Sequence, residues 1–378
     1  AQFTTEPNWD NPASVALAAE RYASEYAYDA LGRPVEQKLP DHTTRKYVFN
    51  QGGGVQKVLV STSDGMLNEM EVLKATTYDA KGLRQSALLG NNVELGYTYD
   101  TETFRMNRLR ARRTSGVARL YQDIHYTYDP VGNLIHCVDE AQQPAAANPK
   151  VLEGLNVSAH SEFTYDAFYQ LIEAKGRVHQ ALLQHDYADR SRDNGLPADW
   201  GQGTRHITLN NGASVERYTR SYQYDLAGNI KSIRHQGASQ TWNTQIWTSA
   251  TSNRSLPQFD LNGAEISNPE SHFDASGNCI VMPHLRSLEW NYRNNISKAL
   301  VIDRSAQGKP NDEEYYVYGG NGMRVRKITQ RVIDVANATI ELTEKIYVDG
   351  CEIKRITRNG TEVLKRFTSQ ISDGTNNL

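Results

Sequence analysis

Carboxylates recur along this chain at one place behind an aromatic ring: Tyr28-Asp29, Tyr78-Asp79, Tyr128-Asp129, Tyr224-Asp225 and Phe273-Asp274. Three residues after each acid comes a glycine, Gly32, Gly82, Gly132, Gly228 or Gly277. Carboxylate pairs are the material of general acid–base chemistry, but a catalytic pair is normally unique in a chain. Acids that repeat with their surroundings are expected to accept backbone N–H bonds within their own turns. No catalytic, cofactor-binding or metal-binding residue is therefore assigned.

The remaining candidate chemistry is equally thin. The 10 histidines are scattered, and the pair His179/His185 has no metal-ligand spacing. Cys137, Cys279 and Cys351 form neither a disulfide framework nor a CxxC site. Gly52-Gly53-Gly54 sits in a repeat turn rather than between a strand and a helix, so it is no phosphate cradle. Arg105, Arg108, Arg110, Arg112 and Arg113 read as a solvated strand face, and Asp312-Glu313-Glu314 as a charged sheet edge. Trp200, Trp242, Trp247 and Trp290 could stack on sugar rings, although their recurrence with the repeat favours packing. One loop, with His185, Asp186, Asp189, Asp193 and His206, holds the groups an enzyme would need, without a defined geometry.

The elements that position these residues follow from the repeat. Weaker copies lie between the strong ones: Phe49-Asn50 with Gly53, Tyr99-Asp100 without glycine, Tyr165-Asp166 with Tyr169, Trp290-Asn291 with Asn294, and Tyr318-Gly319 with Gly322. Aromatics two apart, such as Tyr97/Tyr99 and Tyr126/Tyr128, share one face of a strand. Asp, two residues and Gly match a type I turn, with Pro130 fitting its second position. A short strand such as Leu134-Ile135-His136-Cys137-Val138 follows, so each copy predicts a β-hairpin. Isolated hairpins are marginally stable, which requires neighbouring copies to pair into a sheet.

Composition agrees with a wall rather than a solid core. Net charge is −3 with 22% charged residues, which points to neither nucleic acid nor a membrane surface. Mean hydropathy is −0.64, low for a compact domain of this length, while 21 Tyr and 8 Phe argue against disorder. No apolar run is long enough for a membrane-spanning helix. The fold class expected is all-β, a continuous spiralling sheet of repeated hairpins, open or hollow, with little helix. Residues 1–24 form a lead-in with a short helix from Asn11 to Glu20, residues 25–357 the repeat, and residues 358–378 a tail.

At Tyr128-Asp129-Pro130-Val131-Gly132-Asn133, Tyr165-Asp166-Ala167-Phe168, Tyr222-Gln223-Tyr224-Asp225 with Gly228-Asn229, and Ser252-Asn253-Arg254-Ser255, the chain resembles RHS or YD-repeat proteins, and in particular the C component of bacterial insecticidal Tc toxin complexes. The resemblance runs from about residue 25 to 350. It implies a secreted, non-catalytic β-shell that joins a B-component-like partner through a sheet edge and encloses an unfolded C-terminal toxin as cargo. The family's autoproteolytic core has no match after Tyr347-Val348-Asp349-Gly350, so no protease residue is carried over. Two other classes remain open: a wall-associated or teneurin-like surface protein binding glycans or a receptor, and an enzyme with its site around residues 185–206.

Overall fold

The computed structural model describes residues 11, 20–113, 115–144, 154–180, 211–260, 264–282 and 285–373. The expected helix from Asn11 to Glu20 lies, apart from those two residues, outside them. The helical elements wholly within the described residues are 3-10 turns, including Glu140–Gln142, Gly212–Ser214 and Ser305–Gln307. Among the described residues no helix is long and apolar enough to cross a membrane.

The other regular elements are antiparallel strands. The first strands are β1 (Glu25–Tyr28), β2 (Pro34–Lys38), β3 (Thr44–Phe49), β4 (Val55–Ser61), β5 (Met70–Tyr78), β6 (Arg84–Leu89), β7 (Val93–Tyr99) and β8 (Met106–Arg113). They are followed by β9 (Arg119–Tyr128), β10 (Leu134–Asp139), β11 (His160–Tyr165), β12 (Leu171–His179), β13 (Val215–Tyr224), β14 (Ile230–Gly237), β15 (Thr241–Thr248) and β16 (Ser255–Pro257). These make one 16-stranded sheet in chain order. A 7-stranded sheet, also in chain order, holds β17 (Ser287–Trp290), β18 (Ile296–Ile302), β19 (Asp312–Tyr318), β20 (Arg324–Asp334), β21 (Thr339–Val348), β22 (Cys351–Arg358) and β23 (Thr361–Ser369). This is the all-β array of open-edged hairpin sheets that the repeat predicts.

The turns explain why every copy folds alike. In the first hairpin Gly32 N–H bonds Asp29 C=O and Asp29 N–H bonds Arg33 C=O, and Gly32 takes φ +76°. The register then slips between Ala27 and Tyr28. This is a three-residue loop, a type I turn closed by a left-handed residue that forms a β-bulge. Where glycine is missing, Tyr169 and Asn294 occupy the same place at φ 64° and 57°. The slip recurs at Tyr78, Tyr99, Tyr165, Tyr224, Trp290 and Tyr318.

Part of the expected tail is sheet. Asn359 and Gly360 both have positive φ, 45° and 85°, and join β22 to β23 as a two-residue loop of type I′ character. The Asn-Gly pair carries that signal in the sequence. The charged run Asp312-Glu313-Glu314 is also corrected: β19 is an interior strand between β18 and β20 rather than a solvated edge.

Contacts divide the chain into two compact units, one of residues up to Val72 together with Asp274 onward, the other Leu73–Phe273. In the first, both sheets contribute. Gln37 Nε2 donates to Asp349 C=O at 3.3 Å, Arg45 Nη2 to Gly350 C=O at 3.3 Å, and Ser369 Oγ to Asp41 Oδ2 at 2.8 Å. Glu20 pairs with Arg355 and Lys365. Its core includes the fully buried Leu39, Val58, Ile328 and Ile353, whereas the second unit buries Leu73 and Ala87. Most other strand residues are half-buried, as expected of a thin wall.

Candidate functional site: turns, tyrosine staples and strand edges

The recurrent carboxylates are turn-builders. Asp225 Oδ1 accepts from Ala227 N–H at 2.9 Å and Asn229 N–H at 2.8 Å, and its Oδ2 accepts from Asn229 Nδ2 at 2.9 Å. Asp29, Asp79 and Asp166 accept the same two backbone N–H bonds, and Asp129 accepts from Gly132 and Asn133. At Asp29, Asp129, Asp225 and Asp274 donors reach both carboxylate oxygens, and at Asp79 and Asp166 the turn N–H groups converge on Oδ1, so these acids serve their own turns.

That geometry has a pH signature. Bonds from Arg33 hold Asp29 below the ordinary aspartate range, and bonds from Asn229 and Asn278 do the same for Asp225 and Asp274. At Asp129 burial pushes upward, and the bonds from Asn133, Gly132 and Val131 outweigh it. A depressed folded-state pKa gives stabilisation that is complete above the unfolded value, near pH ~3.9, and is lost as pH falls through the folded values. Carboxyl-carbon NMR titration should accordingly place these aspartates' midpoints below ~3.9. Midpoints at the ordinary value would refute the assignment.

The aromatics supply the second repeated device. Tyr99 Oη donates to Arg84 C=O at 2.8 Å, Tyr128 to Met106 at 2.9 Å, Tyr165 to Leu134 at 3.0 Å, and Tyr224 to Leu171 at 2.8 Å. Trp290 Nε1 does likewise to Cys279 C=O at 2.8 Å. Each ring closes one hairpin and staples it to the carbonyl just beyond the preceding turn. Sequence spacing predicts the face on which these rings lie but not this bond. Ring-on-ring stacking of repeat tyrosines is seen at Tyr26/Tyr28; other repeat aromatics meet backbone carbonyls, as Tyr99 does, or arginines, as Phe49 and Tyr78 do.

The remaining candidates have structural partners. Arg108 grips Asp123 through two bonds, Arg112 pairs with Glu94, and Arg105 donates to the carbonyls of Asp129 and Val131. Two of the five arginines, Arg108 and Arg112, are thus paired with acids of neighbouring strands. Asp312 is buried against Arg304 and Val332 N–H. Burial pushes Glu314 up, and bonds from Lys327, Tyr316 and Thr329 pull it down further. Gly53 takes φ +85° in its turn, as a turn glycine rather than a cradle. Trp242 stacks at 5.2 Å on the fully buried His235, which Tyr218 covers on its other side. His185, Asp186, Asp189, Asp193, His206 and Trp200 lie outside the described residues, which hold no group of three or more possible metal ligands.

What the arrangement leaves available is its edges. Among the described strands, β1 and β16 end one sheet and β17 and β23 end the other, each paired on one side. β23 is mostly exposed, including Val363 and Leu364. An unpaired edge is a template for another strand.

No family model matches the chain. The toxin subunits YenC1 and YenC2 of Yersinia entomophaga are 28% identical over 367 residues and 27% over 347. They match 95% and 90% of this chain, which covers 35% and 33% of theirs, about a third of their length. The chain resembles the C components of Tc toxin complexes. The crystal structure of TcdB2-TccC3-Cdc42 matches 97% of this C-component-like chain with a TM-score of 0.80 and 25% identity, over 16% of that chain. In the Photorhabdus luminescens Tc holotoxin pore, the match covers 93% of this chain and 15% of that one, with a TM-score of 0.79 and 24% identity. The hairpin array of the C-component-like chain is therefore the fold found in those assemblies.

Proposed function

We propose that this chain is a non-catalytic shell segment of a secreted Tc-like toxin, which encloses a C-terminal toxic polypeptide and joins a B-component-like partner through a sheet edge. In this reading residues 25–357 form the repeat wall. The observation that carries it is the chain-order pairing of turn-locked hairpins within each of two open-edged sheets, with relatives that are toxin subunits. The recurrent acids, spent on their own turns, favour containment over catalysis.

The test mixes the chain, bearing an unstructured reporter fused after Leu378, with the TcdB2 subunit. Co-elution on size exclusion is expected, together with protection of the reporter from added protease. Failure to co-elute would overturn the partner assignment, and digestion of the reporter within a formed complex would overturn enclosure.

A further inference from the structure

Turns that join odd to even strands all lie along one rim of a sheet paired in chain order. In the Leu73–Phe273 unit, four consecutive turns on that rim present large apolar side chains. Phe104 lies between β7 and β8, Val131 between β9 and β10, Phe168 with Tyr169 between β11 and β12, and Leu226 between β13 and β14. Phe168 is 83% exposed, Tyr169 59% and Val131 55%, and Leu226 is fully exposed. A single exposed apolar residue needs no explanation. Four successive turns that each carry one, between one and four positions after the leading Asp, do, because the turn itself does not require it: the β5–β6 turn of the same unit carries Ala80-Lys81 after Asp79.

The row is held rigidly. The Arg105 guanidinium reaches across to the next turn, donating to Asp129 and Val131 carbonyls, and lies 2.5 Å from where a Cβ on Gly132 would stand. Gln170 approaches Gly228 in the following turn in the same way. Such preorganisation lowers the ordering cost of binding. The charge beside the row is acidic, with Asp100, Glu102, Asp129, Asp166 and Asp225 against Arg105 and Lys81, and Lys81 already lies over the Phe104 ring.

We infer that this rim docks a basic amphipathic helix of a protein partner. Successive tips are two strands apart, ~9.6 Å at ordinary strand spacing, and one heptad of helix advances ~10.5 Å. An apolar residue in each heptad therefore meets each tip, while lysines beside it face the rim carboxylates. A strand covers that distance between tips in about three residues, and side chains three apart point to opposite faces, so it would miss every second tip. Membranes with anionic headgroups are disfavoured by the same acids.

This inference goes beyond the shell reading and is tested without any toxin partner. The probe is a fluorescent synthetic helix of about three heptads, with leucine once per heptad and flanking lysines, titrated into the whole chain. Binding should weaken as salt rises, and the double variant Phe168→Ser/Leu226→Ser should weaken it ~tenfold or more. Both positions are exposed, so circular dichroism and melting should match the parent. Equal binding to the variant overturns the site. Equal binding of a peptide with glutamate in place of lysine overturns the charge argument. Equal binding of a polyproline-type peptide of matched composition overturns the helix. Capture by phosphatidylcholine vesicles in preference to the peptide makes the rim a lipid surface, which also overturns it.

Discussion

Asp312→Ala is expected to destabilise the unit that contains the 7-stranded sheet by about 3–5 kcal/mol, read as a lowered midpoint in urea unfolding. Asp312 and Arg304 are both buried, at 4% and 7% exposure. Asp312 Oδ1 accepts from Arg304 Nη1 at 2.8 Å and from Val332 N–H at 2.8 Å. Alanine removes the one oxygen that accepts both bonds. It leaves a guanidinium in a low-dielectric site without its counter-ion, and an N–H of β20 without a partner. Arg304→Met with Asp312→Leu should lose much less than the single change, because no unpaired charge remains. A loss below about 1 kcal/mol for Asp312→Ala, the range of an exposed pair, would sink the claim that this contact is a buried one.

The triple variant Tyr128→Phe/Tyr165→Phe/Tyr224→Phe should lose about 1.5–4.5 kcal/mol, since each staple contributes ~0.5–1.5 kcal/mol and separated sites add. The rings stay, so packing is preserved. What goes is the hydroxyl bond to the carbonyls of Met106, Leu134 and Leu171. Tyr292→Phe, at an exposed turn tip, is the control and should change nothing measurable. Unfolding midpoints of single, double and triple variants decide the matter. If the triple variant melts with the parent, the hydroxyls are solvated spectators and the staple is wrong.

Much of this was legible in the primary structure because it is local. Asp, two residues and Gly set a turn whose bonds all close within four residues, as at Asp225 and Asn229. The same logic extends to Tyr169 and Asn294, which take the left-handed conformation without glycine. The Asn359-Gly360 pair gave an equally local sign of β23, in a segment otherwise read as tail.

Other features were illegible for the opposite reason. Asp312-Glu313-Glu314 looks solvated when read along the chain, and only the placement of β19 between two strands brings Arg304, Lys327 and Val332 against it. Arg108 and Arg112 looked like a free basic face until register set Asp123 and Glu94 beside them. The row of apolar turn tips likewise exists only because chain-order pairing puts alternate turns on one rim.

The sequence by itself determined that this protein is a series of aromatic-led hairpins, because turn geometry depends on residues a few positions apart. Tertiary structure alone decided which hydroxyl staples which carbonyl, which charges are neutralised, and that Gln37 and Arg45 meet Asp349 and Gly350 across separations of 312 and 305 residues. Closing loops of that length is an entropic matter for the whole chain. No short motif encodes it, so the partners appear only when the sheets are assembled.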